Sequence, residues 1–171
     1  MSYFNQFGTI LYDPTGDGSA KLCTDILSRV RIRASMKKEI VMLDTYAVKE
    51  NETPEIVADK HHGSPYYHWV VMLLNDISDV NHDWVKSTRQ MQKYLLSKYT
   101  EIQLTETHHF EISQTSGDTI TKIEVENSTY PSASIVTNYE YEVALNESKR
   151  EIDLLQNEFL TYFVDEFQSS I

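Results

Sequence analysis

The chain has 171 residues, 40% hydrophobic and 24% charged, a balance that supports a folded hydrophobic core and excludes a wholly disordered polypeptide. Its formal net charge of −11 repels phosphate backbones and anionic lipid, so neither nucleic acid nor a membrane is an expected partner. No run approaches the roughly 20 apolar residues of a membrane span, and a lone cysteine, Cys23, excludes an intrachain disulfide framework and a cysteine-rich zinc site.

Cys23 is expected inside, as a small apolar side chain. Met1 to Asn5 carries neither the basic nor the apolar region of a secretion signal, so the expected place of synthesis and residence is the cytoplasm. Met1 to Tyr12 reads as extended and aromatic, ending in the turn formers Asp13-Pro14-Thr15-Gly16-Asp17-Gly18-Ser19. Thr24 then offers an N-cap for a short helix through Ile26, Leu27 and Val30. The basic residues Arg29, Arg31, Arg33, Lys37 and Lys38 follow, a run that usually marks a solvated face.

Ile40 to Lys49 is rich in β-formers and reads as a strand. Thr53-Pro54-Glu55 supplies an N-cap, a proline at the first helical position and an acid near the positive end, and the helix closes at Gly63. Ser64-Pro65 repeats the start signal and opens a second helix to Asn75. Asp76 to Asp83 reads as a loop, Trp84-Val85 as a return to the sheet, and Ser87 as the cap of a helix reaching about Tyr99.

Alternation around Phe110 to Ile112 and Ile120 to Val125, separated by Ser116-Gly117-Asp118, predicts a hairpin. Tyr139 to Leu155 fits both strand and helix spacing, and the reading taken is a helix followed by a short strand at Ile152 to Leu155. From Asn157 to Phe167, Phe159, Leu160, Phe163 and Phe167 share one face of an amphipathic helix, usually core and occasionally a docking surface.

Six histidines occur, two adjacent pairs among them, but adjacent residues cannot share a helix face and no recognised ligand spacing is present, so no metal site is expected. Nor is there a nucleophile elbow, a glycine-rich phosphate loop or a patterned carboxylate pair, so neither catalysis nor a cofactor is expected. The eleven tyrosines, two tryptophans and six phenylalanines say more: beyond those that fill the core, such residues suit protein interfaces. Tyr66, Tyr67 and Trp69 lie about 100° apart in succession around a helix, so at least one must reach the surface.

The run Tyr46 to Gly63, a strand, a polar corner ending in Thr53 and a helix with Ile56 and Ala58, resembles the opening of a LysM domain. Gly63-Ser64-Pro65 through Trp69 to Asn75-Asp76 is similar to the corresponding run of LysM-like baseplate wedge proteins of contractile-tailed phages, and Tyr139 to Ile152 resembles their tail region. The resemblance does not extend to residues 100 to 137.

The resemblance implies an α+β fold, a central LysM-like strand-helix-helix-strand module with an added β-hairpin and a C-terminal helical arm. The expected segments are an N-terminal arm (1-39), the LysM-like core (40-99), the hairpin insertion (100-137) and a C-terminal interaction arm (138-171). It further implies a non-enzymatic structural subunit of the virion tail baseplate, assembled in the host cytoplasm. Its expected partners are other wedge and hub-proximal tail proteins and adjacent wedges.

Candidate interface residues are Tyr66, Tyr67, Trp84, Tyr139, Tyr141, Phe159, Phe163 and Phe167, and removal of the chain from Asn157 onward is expected to leave a folded centre. A LysM-type module binding N-acetylglucosamine polymers is the alternative, although Asn51-Glu52 stands where such modules carry Gly-Asp; a cell-wall hydrolase is a more distant third.

Overall fold

A computed structural model describes residues 3–27, 42–117, 119–126 and 129–169. After a 3₁₀ turn at Tyr3–Gln6 come β1 (Thr9–Tyr12), β2 (Lys21–Thr24), β3 (Leu43–Ala47), α1 (Pro54–His62), a second 3₁₀ turn at Pro65–Tyr67, α2 (His68–Leu74) and α3 (Val80–Asp83). Then follow α4 (Thr88–Lys98), α5 (Glu101–Leu104), β4 (Thr107–Ser116), β5 (Thr119–Val125), β6 (Ser134–Thr137), α6 (Asn138–Glu147), β7 (Glu151–Leu155) and α7 (Asn157–Ser169). The protein is an α+β protein. Its contacts divide it into a unit of Met1–Trp84 with Glu151–Ile171 and a unit of Val85–Arg150.

In the first unit β3 and β7 pair antiparallel, Leu43 opposite Leu155 and Ala47 opposite Glu151. In this unit α1, α2 and the single-turn α3 lie between them in sequence, so that apart from that turn the order is strand-helix-helix-strand. The corners are written locally. The Thr53 hydroxyl accepts the Ile56 N–H, Pro54 occupies the first turn where no N–H is needed, and Gly63 takes φ 70°, the left-handed conformation that ends α1. Ser64 caps the next turn.

The core of this unit gathers Phe7, Trp69, Val70, Leu74, Leu155, Leu160, Phe163 and Phe167. Trp69 and Phe167 have ring centroids 4.6 Å apart. Of the segment read as a C-terminal arm (138–171), β7 is the second strand of this sheet and α7 carries three of its core side chains, while α6 belongs to the other unit. Burial of those rings, rather than helix propensity, holds α7 in place.

Side-chain amides complete the joinery. Asn75 Nδ2 donates to the Val71 and Asp153 carbonyls, and its Oδ1 accepts the Asp153 N–H at 2.8 Å, so one residue ends α2 and pairs with β7 as a strand would. Asn157 Nδ2 donates to the His61 carbonyl at 2.7 Å, and its Oδ1 faces His62 Nδ1 at 2.9 Å.

The second unit holds the antiparallel sheet β5-β4-β6 with α4, α5 and α6. Three capping boxes start its helices: Ser87 with Gln90, Thr100 with Gln103, and Thr137 with Glu140. Asn146 on α6 accepts the Lys86 N–H and donates to the Lys86 carbonyl.

The predicted hairpin is present, joined by a third strand, β6, that the sequence reading omitted because Ser134–Thr137 is only four residues long. Three expectations fail. Cys23 is exposed, since it sits on β2, a strand of a two-stranded ribbon whose four residues all face solvent. Thr24 ends that strand and starts no helix through Ile26 and Leu27, because cross-strand pairing with Thr9 claims its backbone. Val30, where that helix was expected to continue, and the basic run lie outside the described residues. Trp84-Val85 likewise forms no strand; α3 precedes it as a single turn capped by Asp79.

Candidate interaction surface

The eight candidate aromatics separate by location. Phe163 and Phe167 are core residues, 6% and 5% exposed, and Phe159 and Tyr67 pack against that core partly buried. Trp84 is also buried, and its indole N–H donates to the Glu52 carbonyl at 2.8 Å. Tyr141 stacks on His108 with ring centroids 3.8 Å apart and an interplanar angle of 10°. Only Tyr66, on the turn before α2, and Tyr139, on α6, are strongly exposed, at 61% and 50%.

Glu52 organises one end of the first unit, and sequence reasoning missed it. Its buried carboxylate accepts the Lys49 N–H at 2.8 Å, the Tyr46 hydroxyl at 2.8 Å and the Lys60 ammonium at 2.6 Å. Burial by itself would raise the carboxyl pKa, but those three donors outweigh it and hold the group below the usual carboxylate range. Asn51, with φ 63°, makes the turn that presents it. In the sequence Glu52 stands out only as a departure from the LysM pattern that the run resembles, and the folded corner shows its carboxylate engaged by three donors.

The second unit has a matching feature. Glu142, 2% exposed, accepts from the Lys98 ammonium and from the Tyr99 hydroxyl at 3.0 Å. Burial pushes this carboxyl up, and the ammonium and hydroxyl more than reverse that. The Lys98 side chain also lies over the Tyr94 and Tyr99 rings. Both buried carboxylates are thus structural, each neutralised by a half-exposed lysine.

Beside α2 an apolar cavity of about 400 Å³ is lined by Tyr3, Phe4, Trp69, Met72, Leu73 and Ile77. The first unit also exposes Leu11 opposite Leu22 across the β1-β2 ribbon, at 72% and 68%. No cluster of three metal-ligating side chains occurs among the described residues, and none of their helices is long and apolar enough to cross a membrane. What stands out is a set of exposed tyrosines and aliphatic side chains on a scaffold whose buried carboxylates serve the fold.

The family model described as base plate wedge protein 53 matches residues 23–131, more than half of the chain. The chain belongs to that family. It is similar to baseplate wedge protein gp53 of Enterobacteria phage T4, with 30% identity over 60 residues, 35% of this chain and 31% of the relative. The match thus spans about a third of the length of that curated relative. Family membership makes this a structural protein of the phage tail baseplate wedge.

Proposed function

We propose that the chain acts as a LysM-like clamp within the baseplate, joining neighbouring wedge proteins around the hub. The observation that carries this reading is the wedge family match over residues 23–131. The strand-helix-helix-strand order closed by the β3-β7 pair is the arrangement a LysM-like module has, and it supports the finer part of the reading. On this view Val85–Arg150 is an insertion between α3 and the closing strand.

Its partners are other wedge and hub-proximal tail proteins and adjacent wedges, met during assembly in the host cytoplasm. Its role on this reading is non-enzymatic, which is supported by the engagement of the buried carboxylates Glu52 and Glu142 by several donors each. Of the candidate interface residues, Tyr66 and Tyr139 have the free surface that docking needs. A glycan-binding role has no comparable support, because the corner that differs from sugar-binding LysM modules carries a carboxylate occupied within the fold.

The test is co-expression with the neighbouring tail-gene products, followed by size-exclusion chromatography with light scattering. A defined complex, weakened by Tyr66→Ala or Tyr139→Ala without loss of thermal stability, is the expected result. A chain that remains alone with every tail protein, yet is retained by murein sacculi, overturns the proposal in favour of glycan binding.

A further inference from the structure

We propose that His108 and His109 form a two-imidazole chelate for a divalent transition-metal ion of the nickel or copper type. Consecutive residues of a regular strand point to opposite faces, which ordinarily keeps an adjacent histidine pair apart. Here the register of β4 against β6 slips between Thr107 and His109, which pair with Thr137 and Val136, so His108 is the extra residue of a β-bulge. A bulge of this kind re-aims side chains. Its result is that the two Nδ1 atoms lie 2.9 Å apart with the rings nearly perpendicular, at 85°.

That separation is the bite of a chelate. Two imidazole nitrogens about 2.0–2.1 Å from one metal are about 2.9 Å apart when they subtend a right angle, and about 3.3 Å apart in a tetrahedron. In the metal-free chain this spacing is that of an N–H···N hydrogen bond, short enough for both nitrogens to close on one ion, and imidazole ligands with open positions beside them suit nickel and copper. Both rings are also held by one side chain. Tyr141 stacks on His108 at 3.8 Å and meets the His109 ring edge-on at 6.0 Å.

Without metal, one Nδ1 carries the proton shared between the two. On binding, that proton moves to the Nε2 of the same ring through solvent, leaving both Nδ1 lone pairs on the metal and both imidazoles neutral. His108 is exposed and His109 half-buried, so the pair is open to solvent. With no cluster of three ligating side chains among the described residues, water takes the remaining positions.

The other adjacent pair is spent differently. His61 Nε2 contacts the Leu155 carbonyl and His62 Nδ1 contacts Asn157.

The experiment is calorimetric titration of the full chain with Ni²⁺, with Zn²⁺ in parallel. The expected result is one equivalent of Ni²⁺ bound in the micromolar range, more tightly than Zn²⁺. His108→Ala or His109→Ala should each weaken it by at least about tenfold, Tyr141→Leu by about tenfold through loss of ring positioning, and His82→Ala not at all. Paramagnetic broadening of amide resonances by Cu²⁺ locates the ion without any substitution and is expected to centre on His108, His109 and Tyr141. Absence of binding, affinity unchanged in both histidine variants, or broadening centred elsewhere overturns the proposal.

Discussion

The indole N–H of Trp84 donates to the carbonyl of Glu52 at 2.8 Å, joining residues 32 positions apart. The same Glu52 gathers Lys49, Tyr46 and Lys60 through its carboxylate, so the end of β3, the last turn of α1 and the exit from α3 are tied to one residue. Trp84→Phe keeps an aromatic ring but strands a buried carbonyl. It is expected to cost about 1–3 kcal/mol in chemical denaturation, the penalty of an unsatisfied buried polar group.

Trp69 tests the aromatic core. Its ring is 4% exposed and touches Tyr3, Phe163 and Phe167. Trp69→Ala is expected to destabilise the protein by about 3–5 kcal/mol, since transfer energy is lost and the surrounding rings cannot close the cavity fully. Urea unfolding followed by circular dichroism gives the number; a value near zero places the ring outside the core.

Truncation before Asn157 gives a sharper contrast. Read as an arm, α7 should be dispensable for folding. Because Leu160, Phe163 and Phe167 belong to the core, the shortened chain is expected to lose its cooperative thermal transition. A truncated chain that melts cooperatively at the original temperature contradicts this packing.

His62 makes stability depend on pH. Burial, only partly opposed by the contact with Asn157, lowers its pKa below the ordinary histidine value, with the neighbouring His61 adding to the shift. Because Asn157 Nδ2 donates to the His61 carbonyl, its Oδ1 must accept from His62 Nδ1–H, which leaves Nε2 unprotonated, buried and without a partner among the described residues. The unfolded chain takes up this proton more readily than the folded one, so stability is full above about pH 6.5 and declines as pH falls below it. Melting temperatures at neutral and mildly acid pH should fall more steeply for the native chain than for His62→Gln.

The Lys98–Glu142 pair acts at lower pH. The folded Glu142 carboxyl sits below its ordinary value, so its contribution is present above about pH 4.5 and is lost as pH falls through the folded pKa. Lys98→Met leaves a buried carboxylate with Tyr99. Since Lys98 is 46% exposed, the expected cost at neutral pH is at most about 3 kcal/mol, at the bottom of the range for a broken buried pair. The gap between variant and native chain should narrow on acidification; a gap that stays constant to pH 3 assigns the loss to packing of the lysine stem.

The sequence by itself determined the elements whose signals are local. Thr53, Pro54 and Gly63 bound α1, Ser87 starts α4, Ser116-Gly117 turns the hairpin, and the spacing of Phe159, Phe163 and Phe167 marks one helical face. Each follows from a backbone group satisfied, or a side-chain period set, within a few residues.

Tertiary structure decided which face meets what. At Lys21–Thr24 the local signal is the N-cap that Thr24 offers, and only pairing with Thr9–Tyr12 makes the segment a strand and leaves Cys23 in solvent. An aromatic stripe serves equally as core or as docking surface until its partner is present, and for Phe163 and Phe167 the partner is Trp69. The meeting of His108 with His109 is likewise a product of the register between β4 and β6. Local sequence carries side-chain identity and spacing, whereas burial and approach depend on segments as far apart as Glu52 and Trp84, or Trp69 and Phe167.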